Sequence, residues 1–594
     1  MKKRCIFEIK DPSFTDYTGI AKSGNLLKIR VPFSGKKMTI RLFRGGESLA
    51  ELSFGASDTA AGHIVKDLDF SEEPGEVQYE ILSDGKLLRD PYAKAPGGSD
   101  LRYGVMDSGT AVSIGPKPDL KDAFVYILHV KGFTMHPSSA AACPGTFEGV
   151  AEKAVYLKSI GVNCVELMPC YEFDDRDEID APDMTQRFLV HAYDKEPVDR
   201  SRRNYWGFKP GYYMMPKISY SGSKDPGVSF SEMVDTLHKA GIAVVMEFTF
   251  PKEESPLYIM QIFRYWHEKY MVDGFHLKGR EDLRQLLISS PFLQDLLWFF
   301  DNVSREEYLH LNHSAKGNAR MLLFCDDDRR MLRSALRGDV GRMADFTALI
   351  RRPFTDYPAV NFLTSYYGFT LMDLVSYNRK HNDRNGESSR DGENDNYSSN
   401  CGVEGVTDDR RVLRLRSERI RMALMMLFLN RGAVSMMMGD ECGRSQLGNN
   451  NPFCLDEEDY YLDWSLLKKN RGILRMLRSL MVLRSETGLW TDDEEYGFMM
   501  RRNQSRPELS FHTEECYRLN DLMTRCSLGV LFEKGSKRIF VAYNFGKTRA
   551  KIRLPKLKTR GRYDFSEGFT HTGAVLTQES ITLKAGSVCV LRYK

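Results

Sequence analysis

FEGVAEKAVYLKSIGVNCVELMP, residues 147–169, decides the fold. Its first part has apolar residues at helical spacing and a glycine stop at Gly161. Its second part is a short β-branched apolar run, so the stretch reads as helix followed by buried strand. The same step recurs on both sides. AFVYILHV (residues 123–130) reads as a strand upstream, and FSEMVDTLHKAG leads into IAVVMEFTF (residues 230–250). PLYIMQIFRYWHEKY leads into VDGFHL (residues 256–277), and MLLFC (residues 321–325) reads as a further buried strand. Repeated alternation over about 370 residues points to parallel βα units, and that length suits a (β/α)8 barrel with inserted loops. Two polar inserts, residues 172–201 and 378–405, are too long for inert connections and are expected as loops at strand ends.

Outside this region the text changes. LLKIRVPF, KMTIRLF, AGHIVKDLDF and VQYEILSDGKLL (within residues 26–88) are short alternating strands with an Asp-Gly turn, which fits a small β-sandwich closing at DPYAK, residues 90–94. LGVLFEKGSKRIFVAYNF, KIRLPKL and AGSVCVLRYK (within residues 528–594) predict a C-terminal antiparallel sandwich. The expected division is 1–118 for the first sandwich, 119–495 for the barrel and 496–594 for the last. Among 594 residues, 84 Lys+Arg face 81 Asp+Glu, for a net charge of +3. That leaves no basic footprint for nucleic acid. No apolar run approaches the ~20 residues of a membrane span. The start, MKKRCIFEIKDPSF, lacks the apolar stretch of a secretory signal. Eleven cysteines without a CxxC pair read as reduced thiols. A cytoplasmic protein without metal or other cofactor is therefore expected. The basic run RRVLRLRSERIRMALMMLFLN (residues 410–430) reads as a barrel helix with a solvated face, and DDRDEID (residues 174–180) as a solvated loop.

Several longer motifs carry a family resemblance. YILHVKGFTMHPSS (126–139), GVNCVELMP (161–169), RNYWGFKPGYYMMP (203–216) and DGF (273–275) resemble the α-amylase superfamily of glycoside hydrolases. The stretches 368–405 and MMMGDECGRSQLGNNNPFC (436–454) are similar to its isoamylase and glycogen-debranching branch, which cleaves α-1,6 branch points of glycogen and starch. The resemblance implies a starch-binding-type first sandwich and an α-glucan such as glycogen or starch as partner.

It also implies where catalytic groups should stand. Retaining glycosidases use two carboxyl groups about 5 Å apart, one nucleophile and one acid/base. Where the family has DGFRFD, this chain has DGFHLK, so His276 replaces the expected arginine and Lys278 the nucleophile. For the acid/base glutamate the strand MLLFC followed by DDD is taken as the match, which puts Cys325 at that place. A slip of this alignment would bring Asp326, Asp327 or Asp328 there instead. The third carboxylate motif, similar to HDGFTL, reads YYGFTL, giving Tyr366 and Tyr367. A strand that ends DVVYNH in the family reads EFTFPK, so Glu247 keeps a carboxylate one methylene longer. In the YWGY-like motif Trp206 remains, and Phe208 keeps the sugar-stacking ring without its hydroxyl.

Read together, these replacements remove nucleophile, acid/base and sugar-gripping groups while the flanking pattern survives. The expected protein is therefore a non-hydrolysing α-glucan-associated member of the family. It would bind glucan or serve as regulatory partner of an active debranching paralogue, or of further copies of itself. The alternative is an active α-1,6-glucan hydrolase using displaced carboxylates, Glu247 with one of Asp326–Asp328. A third reading gives the old cleft to an unrelated ligand. Trp206 and Phe208 are the candidate sugar platform. Tyr366 and Tyr367 are expected to fill the hole left by the missing pair, and Lys278 to be held by Glu247. Cys325 is expected as an inert thiol, and His129 and His381 as hydrogen-bonded rather than metal-bound.

Overall fold

The computed structural model describes residues 7–10, 18–60, 62–97, 102–105, 112–175, 203–315, 320–491, 508–515, 521–556, 561–565 and 578–593. Most of the 172–201 insert lies outside these residues, as does most of the acidic run 174–180.

A parallel sheet of seven strands forms the centre. In chain order these are Phe124–Leu128, Cys164–Leu167, Ala243–Thr249, Gly274–Lys278, Leu297–Asp301, Met321–Phe324 and Val434–Met437. The first six pair in succession in parallel, and the last pairs with the first, Phe124 opposite Val434. The remaining gap is bridged by an extended segment. Ala359 pairs in parallel with Leu323 of the sixth strand, and Asn361 with Val434. Val360 N–H donates to Leu323 O at 2.9 Å, and Asn361 N–H to Ala433 O at 2.9 Å. This segment supplies the seventh stave, so the strand Val434–Met437 is the eighth and the sheet closes as a (β/α)8 barrel. The first, second and fourth strands are buried at every position, as an inner parallel sheet covered by helices requires.

The helices begin and end on recognisable residues. Asp225 Oδ1 accepts from the backbone of Gly227 and Val228 to cap Pro226–Lys239. Gly241, at φ +74°, carries the chain back into the third strand. The expected helix after Phe147 is split at Lys153 into Phe147–Glu152 and Ala154–Ser159.

One strand departs from the expected pattern. Leu297–Asp301 (LWFFD) lies between the fourth strand and Met321–Phe324, so MLLFC is the sixth strand and not the fifth. The reason for missing it is local. The helix that precedes it, Arg284–Ser289, has only six residues, too few to show a 3.6-residue period.

The described residues between 7 and 104 form two antiparallel sheets around a core that includes Leu27, Ile29, Ile40, Leu68 and Ile81. This sandwich meets the barrel where Tyr258 OH donates to Pro91 O at 2.6 Å and Arg89 lies over the Tyr212 ring at 4.2 Å. The C-terminal part is a five-stranded antiparallel sheet covered by the pair Ala550–Arg553 and Ser580–Leu583, with Phe540, Ile552 and Leu591 between them. No helix among the described residues is long and apolar enough to cross a membrane.

Candidate functional site

Residues two apart on a strand share a face. His276 and Lys278 therefore point the same way from the fourth strand, into the barrel centre. Glu247 of the third strand stands in register with His276, and Glu166 comes from the second strand. Asp301 ends the fifth. These five side chains, from four neighbouring strands, form one buried network.

His276 Nδ1 lies 2.5 Å from Glu166 Oε1, and its Nε2 lies 3.2 Å from Asp301 Oδ1. Lys278 Nζ donates to Asp301 at 2.8 Å and stands 3.9 Å from Glu247 Oε1. Tyr366 OH donates to the same Glu247 oxygen at 2.5 Å. The Lys278 side chain is 2% exposed and that of Glu247 is fully buried. The expected Lys278–Glu247 pairing is present, but Asp301 is the closer partner.

The electrostatics follow from two cations among three carboxyl groups. Burial pushes the Glu247 carboxyl up to about 7, with Lys278 pulling against it and Glu166 adding to it. Burial and Lys278 both oppose charge on His276, yet Glu166 and Asp301 outweigh them and lift the imidazole to about 9. Burial likewise opposes the Lys278 ammonium, and Asp301, Glu247 and Glu166 overcome it to raise its pKa. Burial would raise Asp301, but Lys278 and His276 hold it well below the usual carboxylate range. A proton on Glu247 brings the network to neutrality, which is the cheapest way to bury so many charges. Glu247 Oε2 is buried and without a hydrogen-bond partner among the described residues.

The aromatic residues close over this network. Tyr366 is 3% exposed, and its ring meets Trp206 edge-on at 5.0 Å and Phe208 at 5.2 Å. Trp206 and Phe208 are themselves only 3% and 7% exposed. Their rings are thus spent on Tyr366 as well as on whatever stacking role their sequence position suggests. Tyr366 and Tyr367 both lie within 6 Å of the Lys278 ammonium, at 5.7 and 5.8 Å.

Cys325 stands elsewhere than the sequence alignment put it. It follows the sixth strand, one stave beyond the neighbour of the Lys278 strand, and the residue that ends that neighbour is Asp301. Burial raises the Cys325 thiol, which favours its protonated form. The three aspartates after it open the helix Asp326–Arg337, where acidic residues complement the helix dipole. Asp326 is paired with Arg329 at 2.9 Å, and Arg329 and Arg333 share Glu393 from the 378–405 loop. Tyr367 OH reaches Asp326 at 3.5 Å. Asp327 is 91% exposed beside Arg330, and Asp328 holds Arg352. Of the three, Asp326 alone touches the aromatic cover of the barrel centre.

Sequence reading missed Glu166 and Asp301. Glu166 is the lone charge inside an apolar strand run, and Asp301 is a lone acid ending another; both were visible signals. His129 lies at the barrel rim, hydrogen-bonded to Tyr205 O at 2.7 Å and to the Gly132 N–H, and burial lowers it to about 4. His381 pairs with Glu404. No group of three or more His, Cys, Asp and Glu side chains among the described residues is placed to hold a metal ion.

Chemically, a retaining mechanism needs a sugar carbon between two carboxyl groups. Here an ammonium sits between Glu247 and Asp301. It offers no electron pair for attack while it is protonated, and its charge opposes an oxocarbenium-like transition state.

Comparison with known proteins agrees with this fold. The chain is 30% identical over 444 residues to a glycogen operon protein GlgX homolog of Mycobacterium tuberculosis, covering 62% of this chain and 58% of that protein. It is 27% identical over 540 residues to Isoamylase 1, chloroplastic, of Arabidopsis thaliana, covering 73% and 64%. The chain thus spans less than two thirds of the length of these curated relatives. Among solved structures, the pullulanase from Bacillus acidopullulyticus superposes with a TM-score of 0.70 at 16% identity, over 98% of this chain and 75% of that one. The catalytic module of the glycogen-degrading pneumococcal virulence factor SpuA gives 0.69 at 15% identity, over 98% of both. No protein-family model matches the chain.

Proposed function

We propose that this chain, by homology a member of the isoamylase and glycogen-debranching family of the α-amylase superfamily, binds α-glucan without hydrolysing it. One observation carries the reading. Lys278, at the position where the family resemblance places a nucleophilic carboxylate, is buried and ion-paired to Asp301 at 2.8 Å, beneath Tyr366. In this reading residues 1–118, 119–495 and 496–594 are the three units. The chain acts by holding glycogen or a related glucan, alone or beside an active debranching paralogue.

A second reading has its own support. Glu247 is raised to about 7 while Asp301 is depressed, and a pair of carboxyls pushed apart in this way is how glycosidases separate acid from nucleophile. That reading makes the chain an α-1,6-glucan hydrolase with displaced carboxylates.

Reducing-end release from amylopectin by the purified protein decides between them, run beside Glu247→Gln, Asp301→Asn and Asp326→Asn. No release above blank, together with retention of the protein by glycogen, is the expected result. Release abolished by Glu247→Gln or Asp301→Asn would overturn it in favour of the hydrolase.

A further inference from the structure

The helix Asp326–Arg337 turns two faces outward from one backbone. Asp326, Arg329 and Arg333 point to the buried side, toward Tyr367 and Glu393. Asp327, Arg330, Met331 and Ser334 line the adjacent side, with Arg330 at the boundary, its Nε 3.8 Å from Glu393. There a groove of about 520 Å³ runs between this helix and Met343–Arg351, with Tyr397 of the 378–405 loop as a further wall. That volume is in the range of small-ligand sites, roughly 300–1,000 Å³.

The rim of the groove is charged but balanced. Arg330 Nη1 meets Asp327 at 3.1 Å, Arg342 Nη1 meets Asp345 at 3.3 Å, and Arg352 Nη2 meets Asp328 at 2.5 Å. Three guanidinium groups thus face three carboxylates, each pair closed through a single guanidinium nitrogen, with Arg342 Nε also donating to Ser334 Oγ at 3.1 Å and Arg330 Nε near Glu393. An anion such as phosphate would have to break an ion pair to gain an arginine, and a cation would meet the same obstacle at an aspartate. A neutral polyhydroxyl ligand would not. Its hydroxyls donate to carboxylate oxygens and accept from guanidinium N–H groups with the ion pairs left in place. The floor, Met331, Ala348 and Leu349, is apolar and suits the C–H face of a pyranose ring.

Tyr397 adds an independent sign. It sits at φ +51°, in the left-handed region that a bulky side chain rarely adopts. Such a conformation persists only when its surroundings impose it, and it tends to mark binding sites. Here the Arg337 guanidinium lies 5.3 Å from the Tyr397 ring and backs it from the helix.

Resting on the proposal that the chain holds glucan, we infer that this groove, and not the closed barrel centre, is where a segment of neutral α-glucan binds, its hydroxyls on the Asp–Arg rim and a ring against Tyr397.

Calorimetric titration of the full chain with maltoheptaose tests it. Ala348→Trp, at an exposed helix position, fills the groove and is expected to weaken binding about tenfold or more. Tyr397→Ala is expected to weaken it by roughly tenfold, and Tyr397→Phe, which keeps the ring, to remain within about twofold. Circular dichroism of each variant confirms the fold. Wild-type binding that Ala348→Trp and Tyr397→Ala leave unchanged would overturn the groove assignment while the glucan-binding proposal stands. A wild-type chain that takes no maltoheptaose would overturn both.

Discussion

The barrel centre and the groove outside it use the same chemical groups to opposite ends. In the centre Lys278 and His276 face Glu166 and Glu247 with almost no solvent, and Asp301 at 20% side-chain exposure. In the groove Arg330, Arg342 and Arg352 face Asp327, Asp328 and Asp345, and Asp327 and Asp345 are 91% and 54% exposed. Buried ions must satisfy each other, so Lys278 and His276 are committed to these carboxylates and a ligand would have to compete with ion pairs largely removed from water. The Arg330–Asp327 and Arg342–Asp345 pairs keep their hydration and spare hydrogen-bonding edges, so a ligand meets them at little cost, whereas Asp328, at 19% exposure, is as enclosed as Asp301. Charge balance alone therefore does not make a site; accessibility decides whether the charges hold the fold or hold a ligand.

The contrast is broken most directly at Lys278. Lys278→Met leaves Asp301 and Glu247 buried without their cation and is expected to cost about 3–5 kcal/mol in urea denaturation followed by tryptophan fluorescence. A loss under about 1 kcal/mol would mean that the centre is as open as the groove.

Next in size is the pH dependence of stability. Glu247 rises from its usual 4.5 to about 7 on folding, and His276 from 6.5 to about 9, so the native state binds more protons in both windows. Stability is then expected to fall as pH rises, first from 4.5 to 7 and again from 6.5 to 9. At about 1.4 kcal/mol per unit the total within each window is on the order of a few kcal/mol. His276→Gln should flatten the upper limb, whereas Ala348→Trp in the groove should leave the whole profile in place. A flat wild-type profile between pH 5 and 9 would count against a charged, closed centre.

Tyr366→Phe removes one buried hydrogen bond and is expected to destabilise by about 1–2 kcal/mol. Because that bond favours ionised Glu247, its loss should also move the end of the lower limb above pH 7. The smallest effect is reserved for the rim. Arg342→Ala, at a side chain 43% exposed, should change the unfolding free energy by no more than about 0.5 kcal/mol.

Much of the fold was legible because each barrel unit repeats a helix stop and a short apolar run, as in residues 147–169. The sandwiches were legible from period-two alternation and the Asp84–Gly85 turn. Leu297–Asp301 was not, since a six-residue helix shows no period, and that single missing strand moved the acid/base expectation from the fifth strand's end to Cys325. The candidate site was half legible. His276, Lys278, Glu247 and Tyr366 were named from motifs, whereas Glu166 and Asp301 entered only when neighbouring strands brought them within reach of the same ring and ammonium.

By itself the sequence determined the order of most strands and helices, which follows from local period, and placed Lys278 and His276 where the family resemblance implies a carboxylate and an arginine. The tertiary structure alone decided which acids neutralise those cations and that Trp206 and Phe208 are spent on Tyr366. It alone decided, too, that the outer face of one helix stays open. These depend on contacts between residues far apart in the chain, such as Tyr366 and Glu247, 119 positions apart, and such contacts exist only once the barrel has closed.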